Sequence, residues 1–257
     1  MTPLRSMSGL GRQVLIEARR SGLALLAIAA VCAALLIAGF LSHVALVEAK
    51  QLQAAMVAAL LRGCAVFLVA GHVAASTVRE YNDKGLELHL SLPISRALYY
   101  LGRLAGHAGV GVGIAVLFAL PLLFWVPAQS VLLWAVSLCF ENLLVACAAL
   151  FFAITFVQVL AALSAVAGLY VLGRSIAGIQ ALATGPLVED GAAQRVAGWL
   201  TDGLSFLLPR LDLATRTDWL LYGVPDLRSY LLALAGLAAY ALLLAAAGMF
   251  DLYRRNL

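Results

Sequence analysis

The chain has 257 residues, of which 64% are hydrophobic and only 12% are charged. Water-soluble domains carry about 25% charged residues and about 45–50% apolar ones. This composition excludes a soluble globular enzyme and predicts an integral membrane protein. The net charge of +4 is too dilute for a nucleic-acid surface, which needs clustered basic residues, so we expect no nucleic-acid partner.

Apolar segments of membrane-spanning length recur along the chain. A bilayer core about 30 Å thick requires roughly 20 mostly apolar residues for each crossing helix. The qualifying segments are residues 23–41, 52–78, 104–126, 131–154, 157–179 and 230–250. They predict an all-α integral membrane protein, a single transmembrane domain with six helices. A turn near Thr155 and Phe156 joins the fourth and fifth segments, which predicts a tight helical hairpin.

The N-terminal segment between Met7 and Ser21 has apolar residues at helical spacing and a basic opposite face. These features predict an interfacial amphipathic helix, held along the membrane surface by apolar burial and anionic lipid. The alternative is an irregular extension of the first span.

Basic residues concentrate on one side of the six predicted spans, and the side rich in lysine and arginine faces the cytoplasm. That side holds Arg5, Arg12, Arg19, Arg20, Arg79, Lys84, Arg96, Arg103, Arg254 and Arg255. We therefore expect both termini to be cytoplasmic. The longest connection on the other side, residues 180–229, is interrupted by three prolines: Pro186, Pro209 and Pro225. Because so short a stretch buries little core of its own, we predict a compact external cap.

Two ionisable residues fall well inside predicted spans, where charges are costly and indicate a partner. Arg62 and Glu141 each lie ten residues from the outer end of a span, roughly 15 Å deep. We predict that they approach one another or share a polar cavity, because pairing offsets much of their desolvation cost. A structural pair that fixes helix packing is favoured over a substrate contact. Arg174, higher in the fifth span, is expected to extend toward the outer interface.

The sequence predicts no metal site and no disulfide framework. The four cysteines lie in apolar runs without metal-ligand spacing, and they are Cys32, Cys64, Cys139 and Cys147. His72 and His107, near the cytoplasmic ends of their spans, are expected to be structural. Two small-residue motifs in the third span suit close helix packing. They are Gly102-x-x-x-Gly106 and Gly109-x-x-x-Gly113.

The most informative segment is the charged loop after the second span, residues 79–98, which reads REYNDKGLELHLSLPISR from Arg79 to Arg96. Gly85 and Pro93 flank apolar residues at helical spacing, which predicts a short helix lying along the membrane. Such a helix would present a rigid docking surface to a soluble partner. The side chains available for charge pairing are Glu80, Asp83, Glu87 and Arg96.

This segment resembles the loop after the second span in permeases of the type-two ABC exporter class. Their pattern is approximately a Glu or Arg pair, a short spacer, Gly-Thr-Leu-Glu, two leucines, then Pro-Ile/Val-Ser/Arg-Arg. The matching residues are Arg79-Glu80, Gly85-Leu86-Glu87-Leu88, Leu90 and Pro93-Ile94-Ser95-Arg96. The sequence departs from the pattern at Leu86, where threonine is usual, and at His89, where an apolar residue is common.

The rest of the chain agrees with the same class. The amphipathic N-terminal helix, the six spans with a hairpin between the fourth and fifth, and the basic C-terminal tail all recur in it. The resemblance therefore covers essentially the whole chain. Residues 208–212 (Leu-Pro-Arg-Leu-Asp) also resemble the subset linked to multicopper-enzyme maturation, including nitrous oxide reductase assembly.

The resemblance implies a permease subunit, of exporter type, in a bacterial inner membrane. It implies that the loop is a coupling helix docking on a cytosolic ABC ATPase subunit, and that a second permease copy completes the path as a homodimer or heterodimer. The residues implied in ATPase coupling are Arg79, Glu80, Gly85, Glu87, Pro93 and Arg96. The only lysines, Lys50 and Lys84, follow Ala49 and Asp83, so no P-loop motif is present. We expect no cofactor on this chain, with ATP bound by the partner.

Two other functions stay open at this point. One is a non-transporting membrane anchor that transmits the conformational changes of the ATPase to an extracytoplasmic partner through the external cap. The other is an intramembrane enzyme with Glu141, His72 and His107 as acid–base residues. The enzyme is disfavoured because Glu141 lies near mid-membrane and the histidines lie near one face. The sequence identifies neither the substrate nor the direction of its movement.

Overall fold

A computed structural model describes residues 3–44, 49–83, 95–183, 192–223 and 226–254. Within these ranges the chain is helical apart from short connections, with no β-strand. The helices are α1 (Pro3–Arg20), α2 (Leu23–Val44), α3 (Ala49–Asn82), α4 (Arg96–Ala119), a 3-10 helix (Leu120–Phe124), α5 (Ala128–Phe156), α6 (Val159–Ala183), α7 (Ala192–Leu207), α8 (Leu211–Ala214), α9 (Asp218–Tyr222) and α10 (Leu227–Arg254).

Six helices, α2 to α6 and α10, are long and apolar enough to cross a membrane. They coincide with the predicted spans, and the chain is an all-α, multi-pass membrane protein. Two of them are longer than predicted at the ends that flank residues 84–94. Helix α3 continues to Asn82, and α4 begins at Arg96. The added turns carry charged residues, so a prediction from hydrophobicity alone makes these spans too short.

Helix α5 is the centre of the bundle and packs against α3, α4, α6 and α10. Its residues from Leu144 to Leu150 are buried on every face for this reason. The predicted hairpin to α6 is tight, because α5 ends at Phe156 and α6 begins at Val159. The chain reverses at Val157, which has a left-handed backbone (φ 52°, ψ 26°) and donates its N–H to the Ala153 carbonyl.

Helix α1 is amphipathic, as its apolar spacing predicts, and the structure shows that it lies across α4. Leu10 and Val14 are buried, whereas Arg12 is exposed. The two backbones approach closely at Gly106, where an added Cβ would lie 2.7 Å from the Cβ of Val14 and 2.9 Å from the Gly11 carbonyl oxygen. The absence of a side chain at Gly106 therefore permits this crossing.

The connection between α6 and α10 re-enters the bundle. Leu211 of α8 is fully buried and packs with Leu144 of α5 and Leu237 of α10. Both partners lie near the middle of long membrane-spanning helices. The connection therefore reaches the middle of the membrane-spanning helices.

Two further contacts establish the depth of this re-entrant segment, residues 207–214. A Cβ added to Gly173, in the middle of α6, would lie 2.7 Å from the Pro209 carbonyl oxygen. The Tyr240 hydroxyl, in the middle of α10, donates to the Leu207 carbonyl at 3.0 Å. The prediction of an external cap over residues 180–229 is corrected for residues 207–214, which pack inside the bundle. Segment length and polarity predict an outside loop, but they do not show that Gly173 of α6 leaves room for Pro209 and Leu211 inside the bundle.

Candidate functional site

The helices that flank residues 84–94 are joined by a charged group that we call the stem cluster: Glu17, Ser76, Glu80 and Arg103. A guanidinium nitrogen of Arg103 lies 2.7 Å from the Glu80 carboxylate and donates to Ser76 Oγ at 2.9 Å. Ser76 Oγ donates to Glu17 at 2.8 Å, and the same carboxylate oxygen is 3.7 Å from Arg103. One arginine of α4 thus contacts side chains of α1 and α3.

The stem cluster is largely withdrawn from solvent. The Arg103 side chain is only 6% exposed, and Glu80 is 14% exposed. Tyr99, one turn before Arg103, adds a hydrogen bond to Glu80. A buried guanidinium is costly without partners, and removing one partner of such a pair is strongly destabilising. The cluster therefore holds the ends of α1, α3 and α4 in one arrangement.

The residues implied in ATPase coupling divide into two groups. Gly85, Glu87 and Pro93 lie outside the described residues. Glu80 belongs to the stem cluster, and its neighbour Arg79 is exposed in a surface recess that Glu17 also lines.

Arg96 attaches the beginning of α4 to the end of α10. Its guanidinium donates to the backbone carbonyls of Leu252 and Tyr253 at 3.2 and 3.1 Å. Carbonyls in the last turn of a helix lack intrahelical partners, and they favour a cation. Ser95 caps α4 by accepting the N–H of Leu98 at 3.3 Å. Residues 84–94 are thus bounded by helix ends that contact α1 and α10.

The structure brings Arg62 and Glu141 together in the centre of the bundle. Their closest nitrogen and oxygen are 2.6 Å apart, and the side chains are 3% and 0% exposed. Arg62 also donates to Ser137 Oγ at 3.0 Å. The second Glu141 oxygen accepts from the Tyr170 hydroxyl at 2.7 Å. We call this group, with Arg174, the central cluster.

Arg174 does not extend outward as predicted. It donates to the Tyr170 hydroxyl at 3.0 Å and lies 3.9 Å from Glu141. Side chains on a helix lean toward its N-terminus, so Arg174 is directed back over Tyr170, one turn earlier on α6. The sequence could not show that this direction leads to a buried carboxylate, because Glu141 belongs to another helix.

The two membrane histidines form a separate group. The ring centroids of His72 and His107 are 5.5 Å apart, and His107 is fully buried. His72 is ten residues from Arg62 on α3, about 15 Å along the helix axis. Both Glu141 oxygens have partners in the central cluster, Arg62 and Tyr170, and neither partner is a histidine. Among the residues that the structure describes, no three metal-ligating side chains come together.

Sequence reasoning missed most of the polar partners that the structure reveals. The sequence marks Arg103 only as an orientation charge and gives no signal for Ser76, Tyr99 or Tyr170. Each contributes through a contact between segments distant in sequence, and no local pattern signals such a contact. Comparison of the chain with protein-family models and with curated proteins gives no match. The features of the chain that bear on its function are therefore the two clusters and the segment between α3 and α4.

Proposed function

We propose that the protein is the permease subunit of an ABC transporter of exporter type, coupled to a separate cytosolic ATPase subunit. One observation carries the proposal. The helix ends on both sides of residues 84–94 are connected to α1 by the stem cluster and to α10 by Arg96. A force on this segment therefore reaches four helices through buried or charge-assisted contacts.

In this proposal, residues 84–94 dock on the ATPase, and closure of the ATPase dimer moves α3 and α4 together. Arg103 transmits the movement to α1 through Ser76 and Glu17. Arg96 transmits it to α10, which Asp251 connects to α5 by accepting the Thr155 hydroxyl at 3.0 Å. A second permease copy completes the path across a bacterial inner membrane, with both termini on the cytoplasmic side.

The first test is purification of the tagged chain from its host in mild detergent, with mass spectrometry of the proteins that accompany it. We expect an ABC ATPase subunit with the wild type and its loss with Glu87→Lys. The matched control is Asp218→Lys, the same charge reversal at an exposed position of α9. An ATPase that stays bound to Glu87→Lys contradicts the docking segment. Its absence from every mild preparation contradicts the permease.

A second test separates docking from transmission. Arg103→Gln removes the charge that joins three helices and leaves residues 84–94 unchanged. We expect the variant to retain the ATPase in the same purification. Spin labels on α1 and α4 should change their separation on ATP binding in the wild type, and less in the variant. Loss of ATPase binding in Arg103→Gln would show that the cluster shapes the docking segment rather than transmitting its movement.

The anchor that relays ATPase strokes to an extracytoplasmic partner is a second candidate. One observation favours it: α7 leaves large apolar side chains exposed, among them Trp199 and Phe206. The same mass spectrometry distinguishes the two functions. Co-purification of an extracytoplasmic protein that is lost with Phe206→Ser, together with ATP hydrolysis but no transported substrate, supports the anchor.

A further inference from the structure

A groove of about 260 Å³ lies on the outer surface of the bundle where α1, α2 and α4 meet. Gly109 and Gly113, one turn apart on α4 and both exposed, line it together with the buried Val110 and Ile114. Its walls include Leu15 of α1 and Ala24 and Ala27 of α2. The groove is distinct from the stem cluster and from the central cluster.

The arrangement of the helices keeps the groove open. Helix α2 packs along α3 and contacts α4 at few positions, while α1 crosses α4 at Gly106. A Cβ on Gly113 would meet no atom within 4 Å, and one on Gly109 would meet only Leu15, at 3.6 Å. Of the two glycine motifs on α4, the first packs closely against α1, whereas the second meets only Leu15 and otherwise faces open space.

The lining has one charged residue among apolar ones. Arg19, exposed in the last turn of α1, lies at one end, and the groove continues along Gly109 and Gly113 to Leu117. This part of α4 measures about 12 Å along the helix axis. An apolar slot with a cation at one end is complementary to an amphiphile with an anionic head.

The size and chemistry of the groove identify the kind of occupant. A cavity of roughly 150 Å³ lined by apolar side chains holds a benzene ring, so this groove accommodates a longer hydrocarbon segment. An extended peptide would leave backbone groups unpaired against apolar walls. A hydrocarbon chain has no such requirement.

We propose that this groove binds an anionic phospholipid. One acyl chain lies between α2 and α4 on Gly109 and Gly113, and the phosphate lies at Arg19. The bound chain fills the space that the crossing of α1 leaves open, so the lipid supports α1 against α4 beside the stem cluster. This proposal does not depend on the identity of the ATPase partner.

The test is native mass spectrometry of purified protein titrated with phosphatidylglycerol or phosphatidylcholine of the same chain length. Gly113→Leu places a side chain in open space and fills the groove. Gly63→Leu is its matched control, because Gly63 is also exposed on a spanning helix with no atom within 4 Å of an added Cβ. We expect the control and the wild type to bind phosphatidylglycerol equally, and Gly113→Leu to bind it on the order of tenfold more weakly, consistent with losing about two buried CH₂ groups.

Removing the positive charge of Arg19 tests whether the lipid headgroup binds at this residue. Arg19→Gln should lower the affinity for phosphatidylglycerol about fivefold, which corresponds to ~1 kcal/mol for one basic residue at an anionic surface. Its affinity for phosphatidylcholine should change less. Arg12→Gln, on the same helix but outside the groove, is the charge control. Glycerol phosphate should not compete with the lipid, because it lacks the chain that fills the groove.

Several outcomes would overturn the proposal. Unchanged phosphatidylglycerol binding in Gly113→Leu rules out the acyl chain in the groove. Competition by glycerol phosphate identifies a headgroup site alone, and a dimer that dissociates in Gly113→Leu identifies a second copy as the occupant. If Gly113→Leu does not fold, Gly113→Ala adds one methyl group to the same space. Phosphatidylglycerol affinity equal to that of the wild type in Gly113→Ala then overturns the proposal.

Discussion

Two arginine–carboxylate pairs lie near the middle of the bundle, and they are built in opposite ways. Arg62 and Glu141 are 79 positions apart in sequence, come from different helices and are 3% and 0% exposed. Arg210 and Asp212 are neighbours on the re-entrant segment, with two hydrogen bonds of 3.2 and 3.1 Å, and are 44% and 9% exposed. The first pair exists only in the folded bundle, whereas the second needs only a turn of chain.

Their surroundings differ in the same way. The central cluster gives each charged group further partners within the protein, and the Arg62 guanidinium also lies 5.2 Å from the centre of the Trp134 ring. Arg210 instead lines a cavity of about 540 Å³ with Asp202 and Tyr240. Such a space is roomy and polar enough to hold water. Solvent can replace the partner of Arg210, and it cannot replace the partner of Arg62.

The largest expected effect is that of Glu141→Ala. It leaves Arg62 buried with its charge uncompensated, which typically costs about 3–5 kcal/mol of folding stability. Unfolding of the purified protein in detergent, by heat or denaturant, measures the loss. The double variant Arg62→Met, Glu141→Leu removes both charges and should recover most of it. Stability of Glu141→Ala equal to that of the wild type would show that water reaches Arg62 and that the two pairs are alike.

The next effect concerns the packing that brings Arg210 to this depth. Gly173→Ala introduces a Cβ 2.7 Å from the Pro209 carbonyl oxygen. Overpacking of this kind costs about 1–3 kcal/mol. Gly168→Ala, on the same helix with no atom within 4 Å of the new Cβ, is the control. We expect only Gly173→Ala to unfold earlier and to expose residues 207–214 to protease. Equal behaviour of both variants would place the re-entrant segment elsewhere.

A smaller effect is expected at the open pair itself. Arg210→Gln should change folding stability by about 1 kcal/mol or less, the range of solvent-exposed ion pairs. The same unfolding measurement compares it directly with Glu141→Ala. A loss as large as that of Glu141→Ala would mean that lipid, rather than water, surrounds Arg210, and the contrast between the pairs would fail.

The smallest effect involves a carboxylate held by backbone groups instead of an arginine. Asp226 precedes α10 and accepts the N–H groups of Arg228 and Ser229 at 3.1 and 3.2 Å. The Arg228 N–H foremost, then the Ser229 hydroxyl at 3.0 Å, hold the pKa of Asp226 below its ordinary value. A depressed pKa in the folded state contributes stability above the unfolded pKa, about 3.9 for aspartate, and this is lost as the pH falls through the folded pKa.

Acidification below about pH 4 should therefore loosen the first turn of α10 more in the wild type than in Asp226→Asn, which has no carboxyl group to titrate. Hydrogen exchange of the amides at the start of α10 measures this difference. Identical pH profiles for the two proteins would show that the carboxylate contributes nothing to this helix end.

The amino-acid sequence determined the features that depend on local composition and spacing. The membrane environment, the six spans, the α5–α6 hairpin and the amphipathic face of α1 follow from hydrophobic length and helical periodicity. The partnership of Arg62 and Glu141 was also predictable, because two charges at one membrane depth each cost free energy until they are paired.

Only the tertiary structure decided which side chains from distant segments meet. Arg103 became the centre of the stem cluster, Arg174 turned inward, and residues 207–214 entered the bundle. The two glycine motifs of α4 are alike in sequence, yet Gly106 meets α1 and Gly113 faces a groove. The same physical reason applies to Arg103, Arg174, residues 207–214 and the glycine motifs. Helical periodicity tells which face of a helix is apolar or polar, but the crossing of the helices determines what that face contacts.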